Sequence, residues 1–255
     1  MGGDNKVVLL TGAAGGIGRA AALKFAAQGA ALALTDIDDA GLEETARLAG
    51  EAGAEVWTHR CDITAEADVA ALVSGAVSRF GRLDIAVNNA GLAHRPARIT
   101  DLDLDTFQRM LAVNLTGTFL CLRAEAAVMR AQGYGAILNV ASLAGLVGAP
   151  LLGAYAAAKH GVVGLTKTAA AECARSSVRV NALCPSFADT GMVAGIAAGM
   201  RGGEHEAISR LLTGIPMGRL ASPGEVADAI VWITSDANSF MTGQAVAIDG
   251  GASAV

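Results

Sequence analysis

Tyr155 and Lys159 stand four residues apart in the run Tyr155-Ala156-Ala157-Ala158-Lys159. Residues at that spacing share one face of a helix, so a phenol and an ammonium would point into the same space. A free phenol titrates near about 10 and is a poor base at neutral pH. An ammonium about 4 Å away contributes roughly 4 kcal/mol at an effective dielectric of about 20. Less any desolvation cost, that is enough to bring the phenol toward the neutral range, where acid–base catalysis is most efficient. The spacing alone is common. The apolar flanks at 154–158 and 161–165 separate this pair from a solvated surface pair. Ser142 lies just past the apolar run Gly135–Val140 and offers a hydroxyl to hold a substrate oxygen.

A second group of residues suits a nucleotide. Thr11-Gly12-Ala13-Ala14-Gly15-Gly16-Ile17-Gly18 follows one apolar run and opens a helical stretch. Glycines let the backbone approach a pyrophosphate without a Cβ clash, and the helix N-terminus adds free N–H groups and partial positive charge. The spacing of Gly12, Gly16 and Gly18 is GxxxGxG, not the commoner GxGxxG, and alone it fits a packing turn equally well. Asp36 shifts the balance. It ends the next apolar run, where a carboxylate accepts from ribose hydroxyls and repels a 2′-phosphate. With no basic residue at 13–15, NAD is expected over NADP. In Cys61-Asp62-Ile63, Asp62 is either an adenine-side contact or the N-cap of a helix from Ala65.

The elements that must carry these groups alternate regularly. Apolar strands are expected at 7–10, 31–35, 55–60, 83–87, 135–140, 178–183 and 245–248. Helical spacing is expected at 16–28, 38–52, 65–79, within 104–131, and at 155–174 and 223–234. This rhythm implies βαβ units, and strands apolar throughout are covered on both faces. The fold class is therefore α/β, a Rossmann-type doubly wound parallel sheet of about seven strands, in one domain over 1–255. The stretch 185–219 breaks the rhythm, with glycines, prolines and scattered apolar residues, and reads as an irregular substrate lid at about 186–216.

Composition bounds the partners. Of 255 residues, 53% are hydrophobic and 17% charged, which excludes disorder as the main state. A net charge of −5 leaves no basic face for nucleic acid, and 4% aromatic residues leave no stacking platform. Cys61, Cys121, Cys173 and Cys184 form no CxxC pair, and His94 and His205 have no helical histidine partner, so no metal site is expected. The cysteines suit a reducing compartment. No apolar run approaches the length of a membrane span, and Lys6 stands where a myristoylation signal at Gly2 would want Ser or Thr. A cytoplasmic protein is expected.

Taken together, the chain resembles the short-chain dehydrogenase/reductase family over essentially its whole length. The resemblance rests on Thr11–Gly18, Asn88-Asn89-Ala90-Gly91, Asn114, Ser142, Tyr155 with Lys159, Thr242-Gly243 and Asp249-Gly250-Gly251. It implies Tyr155 as general acid/base and Ser142 as the group orienting the carbonyl or hydroxyl. Lys159 would bind the nicotinamide ribose and lower the tyrosine pKa, and Asn114 would hold a relay water. Asn89, Ala90 and Gly91 would line the cofactor channel, and Thr190 would hold the carboxamide. At Pro185-Ser186 the sequence departs from the family's Pro-Gly.

The expected activity is NAD-dependent interconversion of a secondary alcohol and a ketone. A 3-oxoacyl-[acyl-carrier-protein] reductase and a non-catalytic NAD sensor are the alternatives. The pocket is expected to include Ser142, Tyr155, His94, the stretch 143–152 and the lid. That favours an apolar alcohol or ketone, with Arg95, Arg98, Arg201 and His205 available for an acidic group. The helix from Tyr155 is small and apolar nearly all round, so one face packs on the sheet and another must meet something else. The resemblance implies the same helix of a second copy there, and a homotetramer.

Overall fold

The structure is a computed structural model and describes residues 6–200 and 204–255. Seven parallel strands form one sheet in the order β3-β2-β1-β4-β5-β6-β7. They are β1 Val7–Thr11, β2 Ala31–Thr35, β3 Val56–Thr58, β4 Ile85–Asn88, β5 Gly135–Val140, β6 Val178–Pro185 and β7 Ala245–Ile248. The strand order reverses between β1 and β4. In open α/β sheets such a switch point leaves a crevice beyond the strands' carboxyl ends, where ligands bind.

Strand alternation divides the core between two faces. Val8 and Leu10 of β1 pack with α1 (Gly16–Ala26), α2 (Asp39–Glu51) and α9 (Pro223–Thr234). Val7 and Leu9 pack toward α3 (Glu66–Phe80), α5 (Thr118–Gln132) and α6 (Gly153–Cys173). Both faces are covered, which is why these strands read as continuous apolar runs. Edge strand β3 is shorter than the apolar run 55–60 suggests, and its residues are half-buried or exposed.

The helix expected within 104–131 has three parts. α4 (Leu104–Leu111) passes through a π-helical segment, Ala112–Gly117, into α5. Period reading cannot detect such a segment, because its six residues are too few to fix a period. π segments are frequent at functional sites, and this one contains Asn114. The run Leu104–Gln132 is long and apolar enough to cross a membrane by length and composition. Here Met110, Leu122 and Met129 on it are buried.

The region read as an irregular lid holds two helices, α7 (Gly191–Ala198) and α8 (Glu204–Leu212). α7 is apolar with two glycines, so it carries no polar stripe to mark its period. Gly2 and Arg201 lie outside the described residues, as does the side chain of His205.

Candidate active site

α6 places Tyr155 and Lys159 on its buried face. Lys159 is 3% exposed, and its Nζ donates to the Val140 carbonyl at 2.8 Å. That ammonium sits 5.6 Å from the Tyr155 ring centroid. Ser142 caps a short 3-10 turn, Leu143–Gly145, its Oγ accepting from the Ala144 N–H at 3.1 Å. Its hydroxyl lies 3.4 Å from the Pro185 carbonyl and hydrogen-bonds the phenol. Three elements thus converge: the ends of β5 and β6 and the first turns of α6.

The electrostatics correct one expectation. Burial pushes the Tyr155 phenol up, and the Ser142 hydrogen bond offsets only part of that. The same burial pushes Lys159 down to about 8. The ammonium lies over the ring and is bound to a carbonyl, so in this arrangement desolvation outweighs its attraction for a phenolate. Sequence spacing gives a shared helix face but not the direction of the ammonium.

Asn114 is wholly buried. Its Nδ2 donates to the carbonyls of Leu92 at 2.9 Å and Met110 at 3.1 Å, and its Oδ1 accepts from the Leu92 N–H at 3.1 Å. These bonds fasten the loop after β4 to the π segment. A Cβ on Gly91 would meet Asn114 Oδ1 at 2.7 Å and Lys159 Nζ at 3.5 Å, so all three lie at one point.

The glycine turn is built for close approach. Gly12 and Gly16 have φ of +68° and +51°, where L side chains are strained. A Cβ on Gly18 would sit 1.9 Å from the Gly12 carbonyl oxygen. Asn89 clamps the turn from below, its Nδ2 donating to the carbonyls of Thr11 at 3.1 Å and Gly12 at 3.0 Å. Ala90 N–H donates to Thr11 Oγ1 at 3.1 Å. Asp36 accepts from the N–H groups of Ala14, Ile37 and Asp38. Its carboxylate offers about four acceptor sites, so one stays open toward the cleft. Asp62 does not cap the helix, because α3 is capped at Ala65. Asp62 instead accepts from the Thr64 N–H and hydroxyl, which lowers its pKa.

Two cavities share this corner of the molecule. One of about 660 Å³ runs past Gly12, Gly16, Asp36, Asp62, Ile63 and Ala90. The other, about 280 Å³, holds Ser142, Tyr155 and Lys159 among Leu143, Val147, Leu152, Phe187 and Met192. Ile17, Asn89, Gly91 and Thr190 line both.

Residues 12–253 match the family model described as enoyl-(acyl carrier protein) reductase. A cis-4-hydroxycyclohexanecarboxylate dehydrogenase of Sinomonas cyclohexanicum is 43% identical over 98% of this chain and 97% of its own. The chain belongs to the short-chain dehydrogenase/reductase family. A 2,5-dichloro-2,5-cyclohexadiene-1,4-diol dehydrogenase of Sphingobium indicum is 41% identical over 99% of this chain and 98% of its own. The structure of NAD+-bound xylitol dehydrogenase superposes with a TM-score of 0.92 at 35% identity, covering 97% of this chain and 98% of that one. The chain is an oxidoreductase acting on CH–OH groups.

Within that family frame, the Ser186 departure costs no strain. Ser186 is not at positive φ, and its N–H donates to the Ile248 carbonyl at 3.1 Å. Other expectations need correction. His94 does not line the pocket. It is buried, with Nδ1 against the Arg95 carbonyl, because the loop after β4 turns it inward. Leu146 and Leu151 lie outside the lining and are exposed, as are Arg95 and Arg98. Arg19 sits just beyond the glycines on α1, where the sequence gives no sign of its direction. Its guanidinium is turned inward onto the Ala14 and Gly41 carbonyls and Thr45. The one basic residue near the turn thus braces it.

Proposed function

We propose that this chain oxidises a neutral cyclic secondary alcohol to its ketone with NAD, and runs the reverse reduction. The observation that carries this reading is the convergence of Ser142, Tyr155 and Lys159 in an apolar cavity of about 280 Å³ beside the glycine cleft. Among the described lining residues Lys159 is the only charged side chain, and it is held on Val140. A substrate carboxylate therefore finds no free cation there. Two relatives are named for six-membered-ring alcohols, which supports the ring, although the name of the first carries a carboxylate for which this lining offers no free cation.

NAD, when bound, supplies the ring that accepts the hydride. Gly12, Gly16, Ile17 and Gly18 give its pyrophosphate a cradle that side chains would fill. Asp36 would take the ribose hydroxyls, and Asp62 and Ile63 would border the adenine. Asn89, Ala90 and Gly91 would wall the channel, Lys159 would hold the nicotinamide ribose, and Pro185 and Thr190 would meet the carboxamide. Ser142 fixes the substrate oxygen. In oxidation the deprotonated Tyr155 would take the substrate's hydroxyl proton. Asn114 holds the water that returns the proton to solvent.

Residues 1–255 act as one dinucleotide-binding domain, with 186–216 as the lid over the substrate. We place it in the cytoplasm, where its four buried free cysteines stay reduced. It works as a homotetramer. The exposed small residues Ala157, Gly164 and Ala171 of α6, with exposed Trp232 and Phe240, offer the surfaces.

The test is a panel of cyclic, open-chain and carboxylated alcohols, read by reduced-nicotinamide absorbance with NAD and NADP separately. Turnover is expected with neutral cyclic alcohols and NAD. Turnover only with NADP and oxoacyl carrier-protein substrates, or tight NAD binding without turnover, would contradict the proposal.

A further inference from the structure

Behind the active site lies a polar chain that the proposed chemistry does not use. Asn88 of β4 and Asn139 of β5 are direct neighbours in the sheet register. Asn88 Nδ2 donates to Asn139 Oδ1 at 3.0 Å and to Glu125 Oε2 at 2.9 Å. Asn139 Nδ2 donates to Thr166 Oγ1 at 2.9 Å, and that hydroxyl donates to the Val162 carbonyl at 2.8 Å. Glu125 is 0% exposed, and Asn88, Asn139 and Thr166 are buried with it.

Asn88 donates both ways, to Glu125 on α5 and to Asn139, and from Asn139 the chain donates on to Thr166 and the Val162 carbonyl of α6. At its head two acceptors are left over, Asn88 Oδ1 and Glu125 Oε1, both buried and without a partner. They belong to two groups already joined by one hydrogen bond. An ionised Glu125 would leave both oxygens without a hydrogen and bury a charge. No cation compensates it among the described residues. The packed elements β4, β5 and α6 present uncharged Asn88, Asn139 and Thr166, and α3 presents Val69, Leu72 and Val73. The titratable groups nearby are Cys121 on α5, whose thiol burial pushes up, and Cys61 beyond it. A buried charge without a partner costs several kcal/mol. A single proton on Oε1 removes the conflict, because the acid O–H then donates to Asn88 Oδ1 and closes a two-bond acid–amide ring.

The next residue along each strand is part of the site. Asn89 clamps Thr11 and Gly12, and the Val140 carbonyl seats Lys159. We propose that Glu125 is a positioning residue held as a neutral carboxylic acid, and that losing its proton loosens the cofactor turn and the lysine seat in front of it. Burial fits this by raising the carboxyl from 4.5 to about 7, against the lowering effect of the Asn88 bond. Because the folded value is raised, the unfolded chain loses its proton first. Stability therefore declines as pH climbs from 4.5 to about 7 and is level with respect to this group above that.

The test compares the full chain with E125Q, whose carboxamide supplies the same N–H to Asn88 Oδ1 at every pH. The two should melt together near about pH 4.5, and E125Q should become progressively more stable toward about pH 7. The wild type near about pH 6 should show a protonated-carboxyl infrared band that E125Q lacks. NAD affinity should fall severalfold in the wild type relative to E125Q as pH rises past neutral; this arm rests on the function proposed above, whereas the melting and infrared arms do not. A melting difference independent of pH, a missing band, or an E125Q that fails to fold would overturn the neutral acid. A pH-independent affinity ratio would overturn the link to the site.

Discussion

Tyr155→Phe should lower alcohol oxidation by about 10²- to 10⁴-fold, the usual worth of a positioned acid–base group, while NAD affinity stays within a few-fold of wild type. The substitution removes one oxygen from a ring packed with Ala144, Leu152, Ala156 and Ile196, so the core keeps its shape. Lys159 keeps its bond to Val140, and the glycine cradle is untouched. The proton, however, loses its acceptor. The phenol is pushed up by burial, and its deprotonated form is the base in oxidation. The wild-type oxidation rate should therefore climb with pH, and ketone reduction should slow over the same interval. The residual Y155F rate should lack this climb. Measurement is by reduced-nicotinamide absorbance for turnover and fluorescence titration for NAD. A variant retaining more than about a tenth of wild-type turnover would remove Tyr155 from the acid–base role.

Gly18→Ala should damage both the fold and the cofactor site. The added Cβ would lie 1.9 Å from the Gly12 carbonyl oxygen and 2.9 Å from Asn89 Nδ2, which clamps that carbonyl. Neither neighbour is a free side-chain end, so the turn itself must move. Overpacking of this kind costs about 1–3 kcal/mol. If the strain is concentrated in the cofactor-bound turn, it weakens NAD by about tenfold to a hundredfold. Gly15→Ala is the control for stability, because Gly15 is extended at φ −171° and its Cβ would meet nothing within 4 Å. Thermal melts and NAD titration of both variants decide the matter. A G18A chain that melts and binds like wild type would show that the turn is not close-packed.

Much of this was legible in the residue pattern, for identifiable reasons. The bounds of β2 and β5 coincide with their apolar runs, because both strands are buried nearly end to end, and α9 begins where Ser222 and Pro223 mark a helix start. The shared face of Tyr155 and Lys159 and the place of Ser142 beyond β5 are legible because helix period and strand ends are local properties. What stayed hidden depends on distant neighbours. The π segment at Ala112–Gly117 spans six residues, too few for a period to be read from them. The rise of the phenol pKa depends on how deeply α6 is buried and on a carbonyl supplied by β5. Glu125 looks like any helical glutamate until Asn88 and Asn139 arrive from strands 37 residues before it and 14 after. His94 reads as a pocket residue until the loop after β4 turns it into the interior.

The most direct measurement follows the atoms. A cyclic alcohol carrying deuterium at its carbinol carbon is incubated with the chain and NAD, and the reduced nicotinamide is weighed by mass spectrometry. The deuterium is expected on the nicotinamide, with the hydroxyl proton released to solvent. Reduced nicotinamide without the label, or none at all despite bound NAD, would contradict it.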